Sequence, residues 1–178
     1  ILAKYVAGVG YRPAMLPVEY ELIDDTPSVR LLYNDQRPVS VQDFGVDQVI
    51  GLRFYATAPF DGLDIQMNGG GSAEFALYEW HESTPVSRMS EPLWKEERTF
   101  EQLAKVELRF SEKPVYEYLL CITELSGEIS IQVCDGAAAE KRSVLYVDGR
   151  QLSRSGLAQI HYTKNPVENS GGLTTCLL

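Results

Sequence analysis

The feature that most constrains this chain is a long series of short apolar–polar alternations, each closed by turn residues. The clearest is Lys105-Val106-Glu107-Leu108-Arg109-Phe110, in which Val106, Leu108 and Phe110 fall on one side and the charged residues on the other. A period of two is the side-chain period of a strand half-buried on one face. The same grammar recurs along the chain. Residues 29–33 precede Asn34-Asp35, residues 49–57 precede Pro59, and residues 73–80 precede Ser83-Thr84-Pro85. Residues 62–67 run into Asn68-Gly69-Gly70-Gly71, and residues 118–123 and 129–133 flank Ser126-Gly127-Glu128, a hairpin signal. Residues 144–147 meet Asp148-Gly149, and residues 158–162 close the series. About nine short strands at near-regular spacing predict an all-β antiparallel sandwich or barrel, not parallel βαβ units. Only residues 91–103 have room for a helical turn or two.

The domain boundaries follow from the same punctuation. Residues 1–27, broken by Pro13, Pro17 and Pro27, read as an N-terminal extension or linker. The sandwich occupies 28–165, and 166–178, with Ser170-Gly171-Gly172, reads as a C-terminal tail. The chain opens without an initiator Met, which fits a mature form or a piece of a longer protein.

Charge narrows the partners. Twenty-five acidic against 16 basic residues give a net charge of −9. Such a surface repels phosphate backbones and anionic lipid, and it favours neutral over polyanionic ligands. No apolar run approaches the ~18–20 residues needed to span a bilayer.

Catalytic signatures are absent. Two histidines, His81 and His161, are too few for a cupin-type metal site, and no nucleophile elbow, zincin or phosphate-loop motif occurs. The carboxylate pairs Asp61/Asp64 and Glu79/Glu82 read as solvated strand-end charges. No enzyme and no cofactor are therefore expected.

Aromatic residues are the binding candidates, because sugar C–H faces stack on Trp and Tyr while neighbouring polar groups take the hydroxyls. On 75–80, Phe75 and Leu77 face one way and Ala76, Tyr78 and Trp80 the other. If Phe75 and Leu77 are core, Trp80 and Tyr78 with His81, Glu82 and Arg88 could form a sugar platform; the competing reading packs them under another sheet or domain. Trp94 is either the second wall of a cleft or a staple for the loop between Pro85 and Pro92.

Cysteine pairing depends on the turn. With Gly127-Glu128 as a two-residue loop, Cys121 would face Cys134 at roughly 4.5–5.5 Å, near disulfide geometry. A disulfide is one reading and two packed free thiols the other. The third cysteine, Cys176, lies in the tail.

Several stretches, taken in order, carry a resemblance. Residues 49–59 with Phe60-Asp61-Gly62-Leu63, then Phe75-Ala76-Leu77-Tyr78-Glu79-Trp80, Pro92-Leu93, Tyr116-Glu117-Tyr118-Leu119, 124–127 and Leu145-Tyr146-Val147-Asp148-Gly149 follow one another in a familiar succession. Over roughly 28–162 the chain resembles the galactose-binding-like and carbohydrate-binding jelly rolls appended to multidomain glycosidases of bacteria. It departs from their pattern at Lys113-Pro114-Val115, where a glycine turn is expected, and at Glu128, where a second glycine is. The resemblance implies a sandwich of jelly-roll type and a non-catalytic carbohydrate-binding module of a secreted carbohydrate-active enzyme. It implies an extracellular or cell-surface bacterial setting, a monomer, and as partners a neutral glycan and the other domains of a parent protein. A structural Ca²⁺ is compatible with it; Asp24, Asp25, Asp148 and Glu168 are generic oxygen donors, none singled out as a ligand. Two other readings stand beside it: a structural spacer between domains, and an assembly subunit associating through an edge strand.

Overall fold

A computed structural model describes residues 23–102, 104–135 and 143–166. Thirteen strands and one helical turn make up the described residues. In chain order they are β1 (Ile23–Asp24), β2 (Ser28–Leu31), β3 (Val39–Phe44), β4 (Ile50–Tyr55), β5 (Phe60–Glu79), α1 (Thr84–Ser87), β6 (Trp94–Phe100) and β7 (Ala104–Lys113). There follow β8 (Glu117–Asp135), β9 (Ser143–Val147), β10 (Arg150–Gln151), β11 (Arg154–Gly156), β12 (Ala158–Tyr162) and β13 (Asn165–Pro166). Every pairing is antiparallel, and the architecture is all-β and sandwich-like.

The strand inventory differs from about nine short strands because two of them are long. β5 runs 20 residues and β8 runs 19. Both pass through the body from one layer into the other. The second half of β5 and the first half of β8 pair with each other, with β6 on one side and β4, β9 and β10 on the other. The first half of β5 lies between β7 and the pair β12–β2, while the second half of β8 carries β3 and β11.

The predicted turn at Asn68–Gly71 and hairpin at Ser126-Gly127-Glu128 are therefore not formed. Those two stretches lie against each other where the long strands pass, with Gly69 opposite Ile129, Gly70 opposite Glu128 and Gly71 opposite Gly127. The backbones approach so closely that a Cβ on Gly69 would sit 1.7 Å from the Glu128 carbonyl oxygen, and one on Gly127 2.1 Å from that of Gly70. Gly69 and Gly127 also adopt φ of 90° and 87°, a region open to glycine and costly for other residues. Just beyond, Ala73 faces two residues of β8, Glu124 and Leu125, and Glu124 takes φ 51°. That bulge sharpens the local twist as the strands change layer.

Between the layers lies one core. Ile50, Leu52 and Phe54 of β4, Phe75 and Leu77 of β5, Val106 and Leu108 of β7, and Tyr118, Leu120 and Ile122 of β8 all point into it. A chain of rings runs through it: Phe54 to Phe60 at 5.7 Å, Phe60 to Phe110 at 5.5 Å, and Phe110 to Trp94 at 5.4 Å. The region expected to hold a helical turn, 91–103, is largely the strand β6; the helical turn sits earlier, where Ser83 caps α1 through a bond from the Val86 N–H at 3.4 Å. Asp148-Gly149 does form its tight turn, between β9 and β10, with φ of 50° and 77°. Of the predicted flanks, 1–22 and 167–178 lie outside the described residues. Their inner ends, β1 and β13, pair with each other.

Because β8 is one strand, Cys121 and Cys134 are not partners across a hairpin. They lie 13 positions apart on the same strand, on the order of 40 Å when extended, and both are free and buried. The disulfide reading is thereby corrected; Cys176 lies outside the described residues. Burial pushes the Cys121 thiol up to about 12, with Arg88 opposing it only in part.

Gly127→Ala is expected to destabilise the protein by about 3 kcal/mol in urea unfolding, through backbone clash and strain together. Gly70→Ala, whose added Cβ meets only the Phe100 carbonyl at 3.9 Å, changes stability by less than about 1 kcal/mol. In the native protein at pH 8, Cys121 and Cys134 resist a disulfide-exchange reagent for as long as the fold persists. Peptide mapping finds both labelled once denaturant is added.

Candidate functional site

Alternation along the strands decides what lies on the outer face of the first layer. With Ile50, Leu52 and Phe54 inward, β4 turns Gly51, Arg53 and Tyr55 outward. β8 contributes Glu117, Leu119 and Cys121, β5 contributes Ala76 and Tyr78 with Trp80 just past its end, and β9 contributes Val144 and Tyr146. These form a second, smaller apolar cluster of Trp80, Leu119, Cys121 and Tyr146, with Tyr78 and Val144 packed against it.

Trp80 is its centre, and it is covered. The ring lies 5.5 Å from that of Tyr146 at an angle of 37°, the Arg53 guanidinium sits 4.4 Å from its centroid, and only 9% of the residue is exposed. Arg53 is itself fixed. Its Nε and Nη2 both reach Glu117 Oε1 at 2.6 Å, and Nη1 donates to the Tyr146 hydroxyl at 3.4 Å. That hydroxyl in turn donates to Gln151 Oε1 at 3.3 Å. Tyr55, directly across from Glu117 in the ladder, is 53% exposed. An open tyrosine therefore stands beside a locked guanidinium–carboxylate pair on a buried aromatic floor.

The six residues chosen from sequence do not form one platform. Trp80 and Tyr78 share the outer face, as the alternation predicts. His81 is exposed, with Nε2 3.8 Å from Glu79 Oε2, while its backbone N–H donates to Ser87 Oγ at 2.8 Å. Glu82 is exposed in the left-handed region at φ 50°, where it turns the chain into α1. Arg88 closes α1, its N–H bonding the Thr84 carbonyl at 3.2 Å. Trp94 lies on the other side of the layer. It pairs with Leu77, an inward residue, and packs on Phe110. Trp80 and Trp94 are thus separated by the sheet, and no cleft has them as opposing walls.

A second polar constellation corrects the reading of Asp64 as a solvated strand-end charge, because its carboxylate is buried under side chains from the two neighbouring strands. On the outer face of the other layer, Asp64 of β5 is only 2% exposed at its side chain, yet it is ringed by three donors. Arg109 Nη1 lies 2.8 Å from Oδ1, and Lys105 Nζ and His161 Nε2 lie 3.1 and 2.8 Å from Oδ2. Burial pushes the Asp64 carboxyl up, but the bonds from Arg109, His161 and Lys105 outweigh it and hold the group below the usual carboxylate range. The signal was present as polar residues on the outward parity of 62–66 and 105–109. What was missing was the register that brings Asp64 beside Glu107 and Gln159.

Among the described residues no group of three or more His, Cys, Asp and Glu side chains could hold a metal ion. Two of the generic calcium donors have structural work instead. Asp148 accepts the Val49 N–H at 2.9 Å, and Asp25 pairs with Lys164 at 3.1 Å. Glu168 and the side chain of Asp24 lie outside what is described.

Arg53→Ala is expected to cost about 1–2 kcal/mol, through the lost ring contact and the stranded Glu117. In a Trp94→Phe background, acrylamide quenching of Trp80 fluorescence rises several-fold in that variant; unchanged quenching means the guanidinium is not what covers the ring. In sequence, no protein-family model matches this chain and no curated protein matches it.

Proposed function

We propose that this chain is a non-catalytic carbohydrate-binding module that takes a neutral glycan on the outer face of its first layer, at Tyr55, Arg53 and Glu117. One observation carries the reading: the half-exposed Tyr55 ring stands directly opposite a carboxylate held at 2.6 Å by Arg53. A sugar ring offers an apolar C–H face to a tyrosine and hydroxyls that both donate and accept. Glu117 accepts from them, and the unused N–H groups of Arg53 donate. Because the two charges are already paired, the site suits an uncharged ligand better than a uronate or sulfate. Trp80 and Tyr146 serve as floor, holding Arg53 in place instead of stacking on the sugar. The sequence resemblance supplies the setting: an accessory domain of a secreted bacterial carbohydrate-active enzyme, where modest single-site affinity is multiplied by attachment to the parent protein.

A second reading, a structural spacer between domains, is favoured by the covering of Trp80 and the inward packing of Trp94. On that reading the stiffness of two strands running through both layers is the useful property.

An array of neutral and acidic oligosaccharides, probed with and without calcium, separates the two. Under the binding reading, at least one neutral glycan binds. Tyr55→Ala and Glu117→Gln each weaken it tenfold or more, and the Tyr55→Ala protein keeps its melting temperature within about 2 °C. Binding to no glycan, or binding that both variants retain, turns the assignment to the spacer.

A further inference from the structure

The Asp64 cluster spans three strands, β7, β5 and β12, of the second layer. Asp64 on β5 lies between Glu107 of β7 and Gln159 of β12. Arg109 crosses from β7 over Gly62, where a Cβ would meet its Cδ and Nη1 at 3.0 Å, and its Nη2 comes within 3.3 Å of His161 Nε2 on β12. Lys105 bridges Asp64 and Glu107, at 3.1 and 2.9 Å. Beyond β12 lies only β2, four residues long and paired to nothing else among the described residues. On this face β2 brings Val29 and Leu31. Its Arg30 is of the other parity, with Nη2 donating to Asn165 Oδ1 at 2.9 Å. The charged and titratable groups that face Asp64 are therefore Lys105, Glu107 and Arg109 from β7 and His161 from β12.

We propose that this cluster is an acid-release latch: ionised Asp64 ties the β12–β2 edge to β5 and β7, and protonated Asp64 lets that edge open while the first layer stays folded. Protonation removes the buried negative charge that Lys105, Arg109 and His161 surround, leaving only the exposed Glu107 to oppose the repulsion between Lys105 and Arg109. The direction follows from linkage. A carboxyl held below its ordinary value stabilises the fold above that value, and the contribution is lost as pH falls through the lowered one. Release therefore belongs below about pH 4. The edge that opens is continuous with β1 and β13, the pair that closes the described chain.

Hydrogen exchange read by mass spectrometry from pH 6 to pH 3, corrected for the intrinsic rate at each pH, tests this on the whole chain. Peptides covering 28–31 and 158–162 are expected to lose protection at least tenfold at a pH where 118–122 of β8 keep theirs. In Asp64→Asn that step is gone and the edge is weakly protected throughout. His161→Gln, which removes one donor holding the Asp64 carboxyl down, moves release to higher pH and serves as the test if Asp64→Asn does not fold. Loss of protection in all peptides at one pH, an unaltered step in Asp64→Asn, or an unmoved release pH in His161→Gln overturns the latch.

Discussion

The crossing of β5 and β8 is the constraint on which the rest of this structure depends. Two backbones meet at a distance that leaves no room for a Cβ on Gly69 or Gly127, and there the same two strands leave one layer and enter the other. A strand's faces are set by parity, so a one-residue slip at the crossing would turn every inward side chain of one layer outward. The bulge at Glu124 and Leu125 fixes how parity is carried across. Below it Ile122 and Leu120 are core; above it Ile129 and Ile131 are core as well. Glycine at these positions is thus a requirement on register, and through register on both outer faces.

Those faces follow directly. Once Leu77 is inward, Trp94 opposite it is inward too, and Trp80 is outward. The outward tryptophan then needs a cover, since a bare indole on a flat sheet is costly to hydrate. Arg53 supplies one because the β4–β8 register places it two pairs from Glu117 and on the same face, which pins the guanidinium against the ring. The partly exposed pair adds little stability by itself. Its consequence is positional, for it leaves Tyr55 as the open ring on that face.

Much of this was legible from alternation alone. The strand at Lys105 to Phe110, the inward Phe75 and Leu77, the outward Tyr78 and Trp80, and the Asp148-Gly149 turn all follow from side-chain period and turn chemistry. The crossing was not legible, for a physical reason. Asn68 to Gly71 and Ser126 to Glu128 have the composition of turns, and glycine serves equally where a chain reverses and where two backbones touch. Only the partner strand distinguishes the cases. Misreading them split β5 and β8 in two and set Cys121 against Cys134. The Asp64 cluster was hidden for a related reason: its other members stand 41 to 97 positions from Asp64 in sequence, and only pairing register gathers them.

The two outer faces also show why charge composition is a poor guide to local chemistry in an acidic chain. A net charge of −9 describes the envelope seen by a distant partner. At Arg53 and Glu117 the local charge is balanced and one-third exposed, so a ligand meets fixed donors and acceptors with little net field. At Asp64 two cations, Lys105 and Arg109, and the His161 ring surround a buried carboxylate, where the lower local dielectric strengthens each interaction. The first arrangement is open to a neutral partner at little electrostatic cost. The second is closed around its own charge, and its energy is spent within the fold, on joining β7 and β12 to the strand between them.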